Sequence, residues 1–316
     1  MAVSLIIGVG GQDGQLLSAL LKERGEEIWG VGNGWKVAPG GESIKFDLSD
    51  QKSVLWLIRE SKPDRIFYLA AFHHASGQKE LLQEGVLWSR SLEVHVEGWR
   101  NVLESVEKEA PHIALFYASS SLVFGNPDQA PQDESTALAP VCIYGITKTT
   151  GVHLGRFYRE MKNLRVSIGF LYTHESLRRG PAFVAKKIVN ELHEVREGRR
   201  EQMILGDLSA TVDWGFAPDF VDAMDRITSL DEGGDFIIAT GETHTVGEFA
   251  EIVCRELGLD FRKSVREDSG RQIRKRRNLI GNSRKLREKT GWKPSVRFEE
   301  MVLKLTREVK TQMVHL

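Results

Sequence analysis

Three glycines spaced three apart, Gly8, Gly11 and Gly14, lie between an apolar run and an amphipathic one, and this arrangement constrains the fold most. Val3–Gly8 reads as a buried strand, and Gln15–Arg24 sets Leu16, Leu17, Leu20 and Leu21 at helical spacing. A glycine at the strand end permits a tight turn. A second lets the backbone approach a pyrophosphate, and a third lets the helix pack on the sheet. The helix then turns free N–H groups and its positive dipole end toward the phosphates. Gly8, Gly11, Gln12, Asp13 and Gly14 are therefore candidates for holding a dinucleotide.

The rest of the first half repeats the strand–helix alternation. Glu27–Val31, Ile44–Phe46, Arg65–Ala70, Ile113–Ala118 and Leu164–Phe170 read as strands, with helices at Lys52–Glu60, Ser91–Glu109 and Tyr144–Met161. Such alternation implies right-handed crossovers and a mostly parallel sheet. After about residue 173 the pattern becomes irregular. Helices are expected at Ala182–Glu197, Pro218–Ser229, Val246–Leu257, Ser283–Thr290 and Phe298–Lys310, with a strand at Phe236–Thr240. The expected class is α/β: a Rossmann-type doubly wound parallel sheet with a smaller α+β C-terminal substrate domain. Residues 1–172, with returning segments near 210–240, form the first unit, and 173–316 mainly the second.

Bulk properties exclude several functions. Lysine and arginine number 43 against 44 acidic residues, so no global field recruits nucleic acid or an anionic membrane. Two cysteines, Cys142 and Cys254, fit neither a disulfide framework nor a zinc cluster, and a reducing, cytoplasmic setting with no metal is expected. The apolar N-terminus lacks a basic region, so it reads as a strand and not a signal peptide. No apolar run approaches the roughly 20 residues that cross a bilayer.

Tyr144-Gly-Ile-Thr-Lys148 opens a helix, with Tyr144 and Lys148 on one face. A lysine cation beside a phenol lowers its pKa. A phenol tuned this way moves a proton to or from a substrate hydroxyl while hydride passes to or from a nicotinamide. About 25 residues earlier, a strand ends in Ser119, Ser120 and Ser121, which can hydrogen-bond the same oxygen. After the second strand, Gly32-Asn33-Gly34-Trp35-Lys36 offers no acid for an adenosine ribose. That inclines the choice between NAD and NADP toward NADP, with Lys36 either meeting a 2′-phosphate or solvated. Asp47 either meets the adenine edge or caps the following helix.

Together these residues resemble the extended short-chain dehydrogenases that act on nucleotide sugars, GDP-mannose 4,6-dehydratases above all. The resemblance runs nearly the whole chain: IIGVGGQDGQLL, PDRIFYLAAFHHA, LYTHESLRRGPAFVAKKI, DWGFAPDFVDAM and GWKPSVRFEEMV. It implies Ser120, Tyr144 and Lys148 as the catalytic set. It implies a cofactor set completed by Asn33, Asp47, Leu48, Leu69, Ala70, Ala71 and His174, and a sugar-nucleotide set of His73, Thr173, Glu175, Arg179, Val184 and Lys187. His174 has a structural alternative, and Arg178-Arg179 has one as salt bridges. Two departures stand out. The dehydratases carry a glutamate that acts in water elimination where this chain has Leu122, and a diphosphate-binding arginine where it has Val212. Arg271 or Arg274, in a basic run to Arg277, are candidates to replace the latter.

An intact triad beside an apolar Leu122 implies hydride transfer at C4 of a GDP-linked sugar by a dehydrogenase, ketosugar reductase or epimerase. A dehydratase with its acid/base relocated to His73, His74 or Glu175 is the alternative, and a silent cofactor-binding protein a third. A homodimer or higher homo-oligomer is also implied, through helices carrying Trp99, Val102, Leu103, Val152 and Leu154.

Overall fold

The computed structural model describes residues 1–32, 35–37, 43–73, 82–268 and 278–313. The chain opens with β1 (Val3–Ile7), α1 (Gln12–Glu23) and β2 (Glu27–Gly32), followed by β3 (Trp35–Val37), β4 (Ser43–Lys45), α2 (Gln51–Ser61) and β5 (Arg65–Tyr68). Helix α3 (Glu84–Leu92) passes through a π-helical turn (Glu93–Glu97) into α4 (Gly98–Glu109). Strand β6 (Ala114–Ser120) runs through a 3-10 turn (Ser121–Phe124) toward α5 (Ile143–Lys162) and β7 (Val166–Leu171).

The second half holds β8 (Thr173–Glu175), α6 (Val184–Arg196), β9 (Met203–Leu205), β10 (Thr211–Val212), β11 (Trp214–Phe216) and α7 (Ala217–Thr228). It continues with β12 (Asp235–Ile238), β13 (His244–Thr245), α8 (Val246–Leu257), α9 (Phe261–Ser264), β14 (Val265–Glu267), α10 (Arg284–Thr290) and α11 (Phe298–Met313).

The main sheet has the order β12-β7-β6-β5-β1-β2-β3-β4. From β12 to β2 every pairing is parallel. The chain leaves β1 toward β2 and later returns to β5 on its other side, so the sheet reverses winding at the C-terminal end of β1. Ligands of such sheets bind at that switch point. The strand expected at Ile44–Phe46 is found at Ser43–Lys45, but β3 and β4 form an antiparallel edge. Only two residues separate β2 from β3, too few for the crossover that a parallel neighbour requires.

Alternating side chains send each strand's apolar residues to both faces. On one face, Leu17 and Leu21 of α1 meet Phe220, Val221 and Met224 of α7. On the other, α2, α4 and α5 cover Leu5, Ile66, Tyr68 and Tyr117. A separate core joins Ile188 of α6, Trp214, Phe249 of α8 and Met301 of α11.

The single helix expected over Ser91–Glu109 is instead α3, a π turn and α4, and it starts earlier, at Glu84. Within this turn the carbonyls of Val94 and His95 accept the phenols of Tyr68 and Tyr117. A further correction concerns the apolar residues assigned to an oligomer contact. Trp99, Val102, Leu103 and Val152 are fully buried against the sheet and present nothing outward. Leu154 is partly buried on the same core. No helix among the described residues is long and apolar enough to cross a membrane.

Candidate active site

The glycine loop is shaped by close approach. A methyl on Gly14 would stand 2.3 Å from the Gly8 carbonyl oxygen, and one on Gly8, at φ +101°, would stand 2.6 Å from the Ala70 nitrogen. Only glycine lets α1 start this near to β1 and β5. The N-cap of α1 is Gly11, with no side-chain cap, so its first-turn N–H groups open on the cleft.

A cleft of about 1140 Å³ lies over the C-terminal ends of the strands. Gly8, Gly11, Gln12, Asp13 and Gly14 line it at one side. Asp47 and Leu48 line it after β4, and Leu69, Ala70, Ala71 and His73 after β5. Ser120, Tyr144 and Lys148 line it as well. Thr173, His174, Glu175, Arg179 and Val184 close it from the second half. Lys187 does not line it. Its Nζ faces Glu191 one turn along α6, at 3.8 Å. Asn33, His74, Arg271, Arg274 and Arg277 lie outside the described residues, as does the side chain of Lys36.

Lys148 is buried, and its Nζ donates to the carbonyl oxygens of Ala118 at 2.8 Å and Ala70 at 3.5 Å. Burial pushes its ammonium down to about 7. Burial also holds the Tyr144 phenol above its ordinary range, against the opposing Arg179 charge. The expectation that Lys148 lowers the phenol is therefore not met by the protein groups themselves. Nζ stands 5.9 Å from the Tyr144 ring centre, is turned to two carbonyls, and holds its own proton weakly. The Tyr144 ring is flanked edge-on by His73 at 4.8 Å and by His95 at 5.1 Å. Ser120 Oγ accepts the Leu122 N–H at 3.2 Å, which leaves the hydroxyl proton to donate. Leu122, in the 3-10 turn that follows, lines the same cleft.

His174 takes the structural option. Its Nδ1 lies 2.6 Å from the Tyr172 carbonyl oxygen, its Nε2 3.0 Å from both Asp13 oxygens, and its ring stacks on Phe220 at 4.4 Å. Both ring nitrogens are engaged within the protein, so the side chain braces the glycine loop against β8. Gln12 strengthens this brace through the His174 carbonyl and Ser176. Glu175 is buried, and burial raises its carboxyl despite the neighbouring Arg179 and His174. Arg179 Nε is 3.4 Å from Glu175 Oε2, and its guanidinium covers the Phe183 ring at 3.7 Å. Arg178 pairs with Gln15.

Sequence reasoning missed Phe72, Phe183, Asp207 and Leu279 in the lining, and His95 beneath it. Phe183 had a signal, since it directly precedes the α6 residues that were assigned. The others carry no pattern of their own.

A doubly wound sheet, a three-glycine loop at its switch point and a Ser–Tyr–Lys set beneath one cleft define an extended short-chain dehydrogenase. The chain belongs to the GDP-mannose 4,6 dehydratase family, whose model matches residues 5–305, and so to the nucleotide-sugar-modifying enzymes of that class. It is 32% identical over 323 residues to GDP-mannose 4,6 dehydratase 1 of Arabidopsis thaliana, covering 95% of this chain and 87% of that one. The Homo sapiens GDP-mannose 4,6 dehydratase is 31% identical over 346 residues, covering 95% and 89%. Among solved structures, RMD from Pseudomonas aeruginosa complexed with NADPH superposes with a TM-score of 0.83 at 18% identity, covering 99% of this chain and all of that one.

Proposed function

We propose that the chain moves hydride between NAD(P) and C4 of a GDP-linked sugar and does not eliminate water. The observation that carries the second half is Leu122. It lines the cleft beside Ser120 and Tyr144, where the resemblance puts the glutamate used in elimination. An apolar side chain does no proton chemistry. The relatives' names as dehydratases favour the alternative, and the experiment below separates the two.

The glycine loop fits a dinucleotide: two positions exclude any methyl, and the uncapped α1 N-terminus faces the cleft. The nicotinamide, when bound, supplies the two-electron donor or acceptor. Tyr144 gives its proton to the C4 oxygen when a ketone is reduced and, as phenolate, takes it when the alcohol is oxidised. Ser120 donates a hydrogen bond to that same oxygen. Lys148 fixes the floor through Ala70 and Ala118 and, when protonated, favours the phenolate. Absence of an acid after β2 supports NADP over NAD. Residues 1–172 with α7 and β12 serve the cofactor, and the remaining segments the sugar nucleotide. A cytoplasmic location fits two free cysteines.

A dimer is part of this reading. Leu92 of α3 and Ile146, Phe157 and Met161 of α5 are large exposed apolar residues on adjacent helices, and a two-fold would bury them.

A second reading is favoured by Glu175. A buried carboxyl held above its ordinary range beside the cleft can serve as the acid or base of a dehydratase.

The test is a product assay with GDP-mannose and a GDP-heptose, each with NAD or NADP, followed by mass spectrometry. Loss of two hydrogens with reduced cofactor accumulating is the expected result for an alcohol substrate. Loss of water overturns the non-eliminating reading and favours the role of Glu175.

A further inference from the structure

His95 is completely buried in the π turn, below the cleft and outside its lining. Its Nε2 accepts the Phe72 backbone N–H at 3.0 Å. A nitrogen that accepts carries no proton, so in the neutral ring the proton sits on Nδ1. Nδ1 faces Thr147 Oγ1 at 2.8 Å and donates to it. The Thr147 hydroxyl in turn donates to the carbonyl of Ile143 at 3.0 Å or Tyr144 at 3.1 Å. One imidazole thus links the loop after β5, which carries Ala70, Ala71 and His73, to the first turn of α5. Its ring edge also bounds Tyr144, at 86° between planes.

The π turn holds His95 in this place. The His95 carbonyl accepts the Tyr117 phenol at 3.2 Å, and the Val94 carbonyl accepts that of Tyr68. Burial, with the Lys148 and His73 charges, pushes the imidazolium down to about 2. Burial and the N–H accepted at Nε2 both favour the neutral ring.

We propose that His95 is a positioning residue of the active site, which in one fixed tautomer joins Phe72 to Thr147 and sets the orientation of the Tyr144 phenol. This rests on the reading of Tyr144 as the acid/base. Loss of the link frees the ring to take more than one orientation.

The experiment compares wild type with Thr147→Val, Thr147→Ser and His95→Phe. The first readout is NMR of the ligand-free protein labelled with ¹³Cζ-tyrosine and ¹⁵N-histidine. A single His95 tautomer protonated at Nδ1 is expected between about pH 5 and 9. The Tyr144 signal should be single in wild type and Thr147→Ser, and split or broadened in Thr147→Val and His95→Phe. The second readout is reduction of NADP by GDP-mannose. Where wild type turns over, kcat should fall about ten-fold in Thr147→Val with KM unchanged, the size of one hydrogen bond. An unchanged Tyr144 signal in Thr147→Val overturns the proposal even if His95→Phe fails to fold. So does a His95 protonated at Nε2. Tyr144→Phe separates the two levels. If it keeps full turnover, the acid/base reading fails and this proposal with it. If it is inactive while Thr147→Val behaves as wild type, only the positioning role fails.

Discussion

His174 Nε2 stands 3.0 Å from both carboxylate oxygens of Asp13, so the first turn of α1 and strand β8 are pinned to one another across the mouth of the cleft. Burial raises the Asp13 carboxyl, but the His174 charge and hydrogen bond, with Gln12 and Arg179, outweigh it and hold the group below its ordinary 3.8. A carboxyl lowered by folding stabilises above its unfolded value and loses that contribution as pH falls through the folded one. Asp13→Ala should therefore cost about 1–3 kcal/mol near neutrality, leaving His174 Nε2 without its carboxylate. Urea unfolding at pH 7 and at pH 3 checks this. A gap that widens in acid would contradict it.

Lys148 carries a linkage of the same sign as Asp13, but in an alkaline window. Its folded value of about 7 lies below the ordinary 10.5, so between these limits the unfolded chain binds more protons. Wild-type stability contributed by this group should rise with pH across that window. Lys148→Met should abolish the rise and reduce turnover by at least about 100-fold. Thermal unfolding of both proteins at a series of pH values reads it directly. Parallel curves would show that the ammonium stays charged when buried.

On the proposed reading, Leu122 is the residue that withholds elimination. Leu122→Glu places a carboxyl in the cleft beside Ser120 and Tyr144. If water loss is prevented only by the missing acid/base, this variant should form a product 18 mass units lighter from GDP-mannose. Mass spectrometry of the wild-type and variant mixtures decides. A variant that oxidises C4 without losing water would show that sugar placement, not Leu122, blocks elimination.

Phe157 and Met161 are 48% and 69% exposed on the outer face of α5. Phe157→Glu should turn a dimer into a monomer while leaving the fold intact, because the side chain contributes little to the core. Light scattering coupled to gel filtration measures the mass. A monomeric wild type, or a dimer that survives the change, would place the contact elsewhere.

The parts legible in the sequence were those where chemistry imposes a spacing. Gly8 and Gly14 must be glycine because a methyl on Gly8 would meet the backbone of Ala70 and one on Gly14 that of Gly8, whereas Gly11 has room for one. Tyr144 and Lys148 are four apart because a helix puts such positions on one face. Strand order was legible only in kind: two residues between β2 and β3 were enough to convert an assumed parallel strand into a hairpin. Trp99, Val102 and Val152 looked available for a partner because a one-dimensional pattern shows which face is apolar, not which side of it the sheet occupies. His95 and Thr147 lie 52 positions apart, and nothing in either segment marks them as a pair. The electrostatics of Lys148 were misjudged for the same reason. Its spacing from Tyr144 is local, whereas its pKa is set by burial beneath segments distant in the chain.

The return of β12 to the edge of the main sheet, with α7 covering α1, has a consequence for biogenesis. Strand β7 pairs with β12, and Leu17 and Leu21 are sealed by Phe220 and Met224. A nascent chain that has emerged only as far as residue 172 therefore carries an open parallel edge and a bare apolar helix face. The half that carries the glycine loop cannot finish folding until some sixty further residues have left the ribosome. In that interval the strand edge and the helix face are both open to mispairing.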